Sequence, residues 1–306
     1  MKESTFNAMG TLIQLKVNEE TPDEVLDMAR RMVLDFERRF SANADDSVLA
    51  DIKRNACLQP VKVDQDIFQL IKVGKHYSLQ TGFLNIAIGP LVQLWRIGFD
   101  DARKPSDSEI QQALTLTNPE NIVLDEEERT VFLTQKGMSI DLGGLAKGFF
   151  ADILLQYFEQ NGVQSALINF GGNIVVMGDD PKAVDGRWEV GIQNPSLHRG
   201  EPIAVLKVRN KSVVTSGIYE RTANFEGKTY HHIIDPKTGY PIEPDMVSLT
   251  IVSDSSLMGE VLTTQLFGYT PKIAVATADK IGAQALSINT EKNIIASKLL
   301  KNIFVC

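Results

Sequence analysis

The chain has 306 residues, 43% hydrophobic and 23% charged, with 39 acidic against 31 basic side chains and a formal net charge of −8. That is ordinary globular composition, long enough to bury a large core, and its acidic balance excludes a general nucleic-acid binder, which needs a basic face against phosphate backbones. Two cysteines, Cys57 and Cys306, stand in no ligand-like spacing and exclude a disulfide framework or a zinc site.

The opening MKESTFNAMG is polar and has no secretory signal. No apolar run reaches the ~18 residues of a membrane helix. The expectation is a soluble, cytoplasmic protein with no membrane segment. Thr11–Val17 predicts a strand, with the glycine of FNAMGT just before it. Thr21-Pro22-Asp23-Glu24 predicts a capping box with proline at the first helical position. Val25, Leu26, Ala29, Met32, Val33 and Phe36 share one face of the helix behind it. After the polar loop Ser41–Ser47, a second amphipathic helix is expected from Asp66 to about Gln80, stopping near Thr81-Gly82. FLNIAIGPLVQLW is apolar and broken by Gly89-Pro90, and Pro105–Glu120 reads as a polar surface excursion.

Further along, NIVLD and TVFLT predict a hairpin, MSIDL a strand entering a glycine turn, and LAKGFFADILLQYFEQNG a helix ending at Asn161-Gly162. SALINFGGNIVVMG reads as strand, Gly-Gly turn, strand, and WEVGIQNP, IAVLKV and SVVTSG as three more strands. SLTIVS precedes a helix from about Ser255 to Phe267, followed by one more helix and the hairpin LSINTEKNIIAS. Strands and helices mix without regular βαβ alternation, which predicts an α+β fold with mixed and antiparallel sheets.

Three stretches suit chemistry. In Ser139–Asp152, SIDLGGLAKGFFAD, a strand runs through two glycines into a helix. Glycines let backbone approach a ligand, and the helix start with Lys147 suits a phosphate. Asp141 stands at the mouth of that turn. In Tyr230–Pro244, YHHIIDPKTGYPIEP, a rigid Asp-Pro-Lys-Thr-Gly turn follows two adjacent histidines, a setting for proton transfer or phosphate contact. On the Ser255–Phe267 helix, Glu260 and Thr264 are i and i+4. Their oxygens stack on one side and can share a hard cation with substrate phosphates; the plainer reading is a partly exposed polar edge of a core helix. Glu220 and Arg221 read as a surface ion pair on a strand.

In this order the segments resemble the FAD:protein FMN transferase family, ApbE. The matching pieces are MGT at Met9–Thr11, FS at Phe40-Ser41, Gly82–Trp95, DLGGLAKGFFAD at Asp141–Asp152, NFGGN at Asn169–Asn173, TSGIYER at Thr215–Arg221, HHIIDPKTGYP at His231–Pro241, and the helix with Glu260 and Thr264. The resemblance implies one catalytic domain over 1–306 whose two intertwined lobes enclose FAD. It implies a magnesium ion on the FAD pyrophosphate and a threonine hydroxyl of an acceptor flavoprotein attacking the FMN-side phosphorus, so that AMP leaves. The implied Mg²⁺ ligands are the Ala146 carbonyl, Glu260 and Thr264. The implied FAD contacts are Met9, Asn43, Phe83, Leu84, Asn85, Gly143, Lys147, Phe149, His232 and Ile233. His232, Lys147 and Asp141 are then the catalytic candidates.

Three positions depart from the family pattern. Glu260 stands where aspartate is common, Asn85 where an aspartate is frequent, and Asn43 where many members carry a tyrosine against the flavin. Losing that aromatic surface weakens flavin stacking. Two alternatives therefore accompany the transferase: a Mg²⁺-dependent FAD pyrophosphatase giving FMN and AMP, and a non-catalytic FAD binder.

Overall fold

The computed structural model describes residues 1–306 apart from 43, 199, 244, 299, 301, 302 and 306, with the backbone alone for 303–305. The expectations for Asn43 and Cys306 therefore concern positions outside the described residues.

A hairpin opens the chain: β1 (Lys2–Ala8) and β2 (Thr11–Val17) join at Met9 and Gly10, both with positive φ, as a two-residue hairpin turn requires. β1 was not expected. Its KESTFNA sequence is mostly polar, and among its residues only Phe6 and Ala8 are buried. Helix α1 (Asp23–Phe40) buries Val25, Leu26, Ala29, Val33, Phe36 and Phe40. Its expected capping box is absent. Pro22 sits at the cap, and the Thr21 hydroxyl, one residue too early, donates to Asn18 Oδ1 at 3.1 Å.

Next come α2 (Val48–Arg54), β3 (Val61–Lys62), α3 (Gln65–Ser78), a 3-10 turn at Ile86–Ile88, and α4 (Gly89–Trp95). The supposed excursion contains α5 (Asp107–Leu114), a helix with a complete capping box between Ser106 and Glu109. Its only buried residues are Ile110 and Ala113, too few to register as a period. Then follow the hairpin β4 (Ile122–Asp125) and β5 (Thr130–Leu133), helix α6 (Ala146–Gln160), and β6 (Ala166–Phe170) with β7 (Asn173–Met177). MSIDL forms no ladder strand; it is held to the 3-10 turn where Asp141 N–H donates to Ile86 O at 2.9 Å.

The remaining elements are β8 (Trp188–Gln193), β9 (Pro202–Val208), β10 (Lys211–Gly217), β11 (Thr222–Phe225), β12 (Lys228–His231), β13 (Met246–Ser253), α7 (Ser256–Leu266), α8 (Pro271–Lys280), β14 (Gln284–Asn289), β15 (Ile294–Ala296) and β16 (Ile303–Val305). The main sheet runs β1-β2-β6-β7-β10-β13-β14-β15, with small sheets β11-β12, β16-β9-β8 and β3-β5-β4. The fold is α+β with antiparallel sheets, as expected.

The largest core joins α1, α3 and α6 to β2 and β6, and Phe36 stacks on Phe150 at 4.2 Å. A separate small core gathers Leu91, Trp95, Ile97, Ile110, Ala113 and Ile234 under the β11–β12 hairpin.

Candidate active site

Two helices meet at the site. Met138, Ile140 and Leu142 are buried, and the chain turns through Gly143 and Gly144 into α6. The Gly143 N–H donates to Asp141 Oδ1 at 2.7 Å. A Cβ at Gly144 would lie 3.2 Å from Thr264 Oγ1, and one at Gly148 would lie 2.4 Å from the Ser256 carbonyl and 2.7 Å from Glu260 Cγ. Glycine is therefore what lets α6 and α7 approach. The start of α7 is tied to α6 by Asp152, whose carboxylate accepts from Ser255 Oγ (2.7 Å), Ser256 N–H (2.7 Å) and Leu257 N–H (3.0 Å).

The contact between these helices places Glu260 4.0 Å from Lys147 Nζ. Glu260 is 4% exposed, so it is no polar edge. Its Oε1 accepts from Asn173 Nδ2 at 3.0 Å. Burial pushes its carboxyl above the ordinary range, against the Lys147 charge and the Asn173 hydrogen bond. A buried carboxylate with one amide donor and one ammonium at 4.0 Å is short of positive charge, which a cation would supply. Among the described residues no group of three or more His, Cys, Asp or Glu could hold a metal. A cation at Glu260 must draw on hydroxyl, main-chain and ligand oxygens, the donor set of a hard ion such as Mg²⁺.

The histidine loop is fixed from below. In the turn after β12, Gly239 N–H donates to Asp235 O at 2.8 Å, and Trp95 Nε1 donates to Gly239 O at 2.9 Å. Gly239 has φ +76°, a conformation glycine adopts without strain. The Tyr240 hydroxyl donates to Asp107 on α5. His231 is buried and both its ring nitrogens are engaged, Nε2 with Ile242 O (2.6 Å) and Nδ1 with Ile233 N–H (3.2 Å), so it is structural.

His232 differs. Its main-chain N–H and its Nδ1 both meet the Arg221 carbonyl, at 3.2 and 3.4 Å. A carbonyl only accepts, so Nδ1 carries the proton and Nε2 keeps a lone pair. Burial first, then the charge of Arg221, bring this imidazole down to about 4, with smaller pushes from His231 and Lys147 and opposition from the Arg221 carbonyl. At neutral pH it is uncharged and able to accept a proton. Burial pushes the Asp141 carboxyl up, opposed by the Gly143 N–H and the Arg221 charge.

Arg221 is the residue the sequence reading misplaced. It lies in the bend between β10 and β11, not on a strand, and among the described residues it makes no ion pair with Glu220. Its guanidinium lies 3.3 Å from where a Gly10 Cβ would stand, and its stem 3.0 Å from where a Gly98 Cβ would stand. No local pattern announces this, because the space is reserved by glycines far away in sequence.

The remaining expected contacts surround this centre unevenly. Met9 shapes the β1–β2 turn, and its N–H donates to Glu37 at 2.6 Å. Phe83 N–H and Leu84 N–H are both held by Gln265 of α7, at 3.2 and 2.9 Å. Leu84 is 4% exposed, so most of its side chain belongs to the core, with its remaining surface on the cavity beside it. Asn85 caps the 3-10 turn through Oδ1 on Ala87 N–H and donates to Thr117 O, both at 2.8 Å. The Phe83 ring, edge-on to Tyr269, lies under Lys237. A cavity of about 360 Å³ is lined by residues that include Thr81, Asn85, Thr117 and Lys237. Phe149 packs at a tilt on Phe40, and Ile233 packs against the core of α7 and α8.

A family model described as the ApbE family matches residues 9–287. The FAD:protein FMN transferase of Klebsiella pneumoniae (strain 342) is 38% identical over 294 residues, covering 94% of this chain and 89% of that protein. The FAD:protein FMN transferase of Treponema pallidum (strain Nichols) is 36% identical over 307 residues, covering 94% and 84%. The crystal structure of the ApbE protein of Thermotoga maritima superposes with a TM-score of 0.88 at 28% identity, covering 98% of each chain.

Proposed function

Because the chain belongs to the ApbE family, we propose that it is an FAD:protein FMN transferase that moves the FMN half of FAD, with Mg²⁺, onto a threonine hydroxyl of an acceptor flavoprotein. The observation that carries this reading is the meeting of Lys147, Thr264 and buried Glu260 across the α6–α7 contact. Their donor set fits Mg²⁺, held by Glu260, Thr264 and the Ala146 carbonyl. Bound there, the ion withdraws charge from the pyrophosphate.

The chain's own residues do the rest. The first turn of α6 and Lys147 hold phosphate oxygens and offset charge as it develops. Nε2 of His232 takes the threonine proton as the hydroxyl oxygen bonds to the FMN-side phosphorus. The bond from that phosphorus to the bridging oxygen breaks, and its electron pair leaves on AMP. Asp141 fixes the Gly143 N–H and so shapes the turn. Met9, Phe83, Phe149 and Ile233 line the flavin side of one cleft between two intertwined lobes.

The test is AMP release from FAD and Mg²⁺, with and without a flavoprotein carrying a target threonine. AMP only with acceptor, and flavin covalently on it, is expected. AMP without acceptor would make the protein a pyrophosphatase, and no AMP in either reaction a binder. Glu260→Ala and Thr264→Val each lower AMP release sharply while FAD binding partly survives; unchanged turnover in both removes the metal assignment.

A further inference from the structure

Asn173 closes the NFGGN turn and starts β7, and no step of the proposed reaction uses it. It is 1% exposed, and both ends of its amide are engaged. The Ser256 hydroxyl donates to Oδ1 at 2.7 Å, and Nδ2 donates to Glu260 Oε1 at 3.0 Å. An ionised carboxylate only accepts, so the amide has one workable orientation, oxygen toward the serine and nitrogen toward Glu260. Ser256 is fixed in turn, its N–H donating to Asp152 Oδ1 at 2.7 Å. A continuous set of hydrogen bonds therefore runs Asp152, Ser256, Asn173, Glu260, joining α6, α7 and β7.

Ser256 and Thr263 are fully buried, Glu260 is nearly so, and the close approach at Gly148 bears directly on Glu260 Cγ. A glutamate has one more rotatable bond than an aspartate. At a site that needs one oxygen aimed at a cation, that freedom must be removed. Among the described residues Oε1 accepts from Asn173 while no hydrogen bond is made to Oε2.

We propose that Asn173, oriented by Ser256, is a positioning residue for Mg²⁺: it engages one oxygen of Glu260 and thereby presents the other to the ion. The proposal rests on the metal assignment above, and the experiment separates the two.

Mn²⁺ is titrated into the protein by EPR with ADP present, so that pyrophosphate oxygens complete the shell, and FAD affinity is read separately by flavin fluorescence in EDTA. Asn173→Leu keeps the side-chain shape and removes the amide. It is expected to weaken Mn²⁺ binding about tenfold or more and to raise the KM for Mg²⁺ in AMP release, while leaving metal-free FAD binding unchanged. Ser256→Ala, which removes only the hydroxyl that orients the amide, gives a smaller shift in the same direction and serves if Asn173→Leu fails to fold. Glu260→Gln is the control. If Glu260→Gln binds Mn²⁺ like the parent protein, the metal assignment falls. If Glu260→Gln loses Mn²⁺ while Asn173→Leu and Ser256→Ala bind it normally, the role of Asn173 is overturned and the metal site stands.

Discussion

His232 is held near a pKa of about 4 by burial and by the charges of Arg221 and Lys147. A base so depressed stays neutral through the physiological range, and its one fixed proton sits on Nδ1 against the Arg221 carbonyl. Arg221 thus acts on His232 twice, through its carbonyl and through its charge. Arg221→Gln keeps the carbonyl and removes the charge, so protonation of His232 becomes easier and its pKa rises; an NMR titration of the imidazole reads the shift, and an unmoved value would show that burial alone sets it. His232→Ala removes the proton acceptor and is expected to lower transfer on the order of 10²-fold or more with FAD binding partly retained; full activity in steady-state assays would take histidine out of the chemistry. Glu260 presents the opposite case. Its folded-state pKa is raised, so the stability it contributes is present at low pH and is lost as pH rises through that value. Burial disfavours its ionised form, and Glu260→Gln should raise the melting temperature of the metal-free protein in calorimetry.

At the scale of elements, the decisive join is the start of α7 on the side of α6. Asp152 there accepts three hydrogen bonds from residues 255–257. Asp152→Ala leaves those donors without their acceptor and is expected to destabilise the fold by about 2 kcal/mol, read as a lower denaturant midpoint with an unchanged slope; no change would mean that packing alone seats α7. Both helices were legible in the sequence, because α6 runs unbroken between a glycine turn and Asn161 and α7 begins at a serine cap. β1 was not legible, being polar and stabilised by its partner β2. Nor was α5, whose buried face is two residues. Glu260 and Thr264 could be paired by helical spacing, but the bond from Asn173 to Glu260 spans 87 positions, and no local pattern encodes it. Asn85 and Leu84 also carry structural duties that their sequence context does not announce: Asn85 caps the 3-10 turn and Leu84 is buried, while both border the nearby cavity.

Across the whole molecule, the histidine side and the Glu260 side are anchored differently. The loop after His232 rests on α4 and α5 through Trp95, Gly239, Tyr240 and Asp107, over a small core distinct from the one that holds α6. Acid tests the histidine side first. A depressed imidazole pKa means that the unfolded chain binds the proton before the folded one does, so this group's contribution to stability is intact above ~6.5 and is lost as pH falls toward about 4. Pulsed hydrogen exchange should find the amides of 231–242 opening at lower free energy than those of α6; equal protection would mean the two open together. Among the described residues no helix is long and apolar enough to cross a membrane. The histidine loop thus rests largely on a small core of its own, while Ile233 and the Gln265 hydrogen bonds still tie it and its neighbours to α7. A cavity opened beneath Trp95 is therefore expected to loosen the histidine loop before it disturbs α6, although Trp95 is buried away from the Glu260 side.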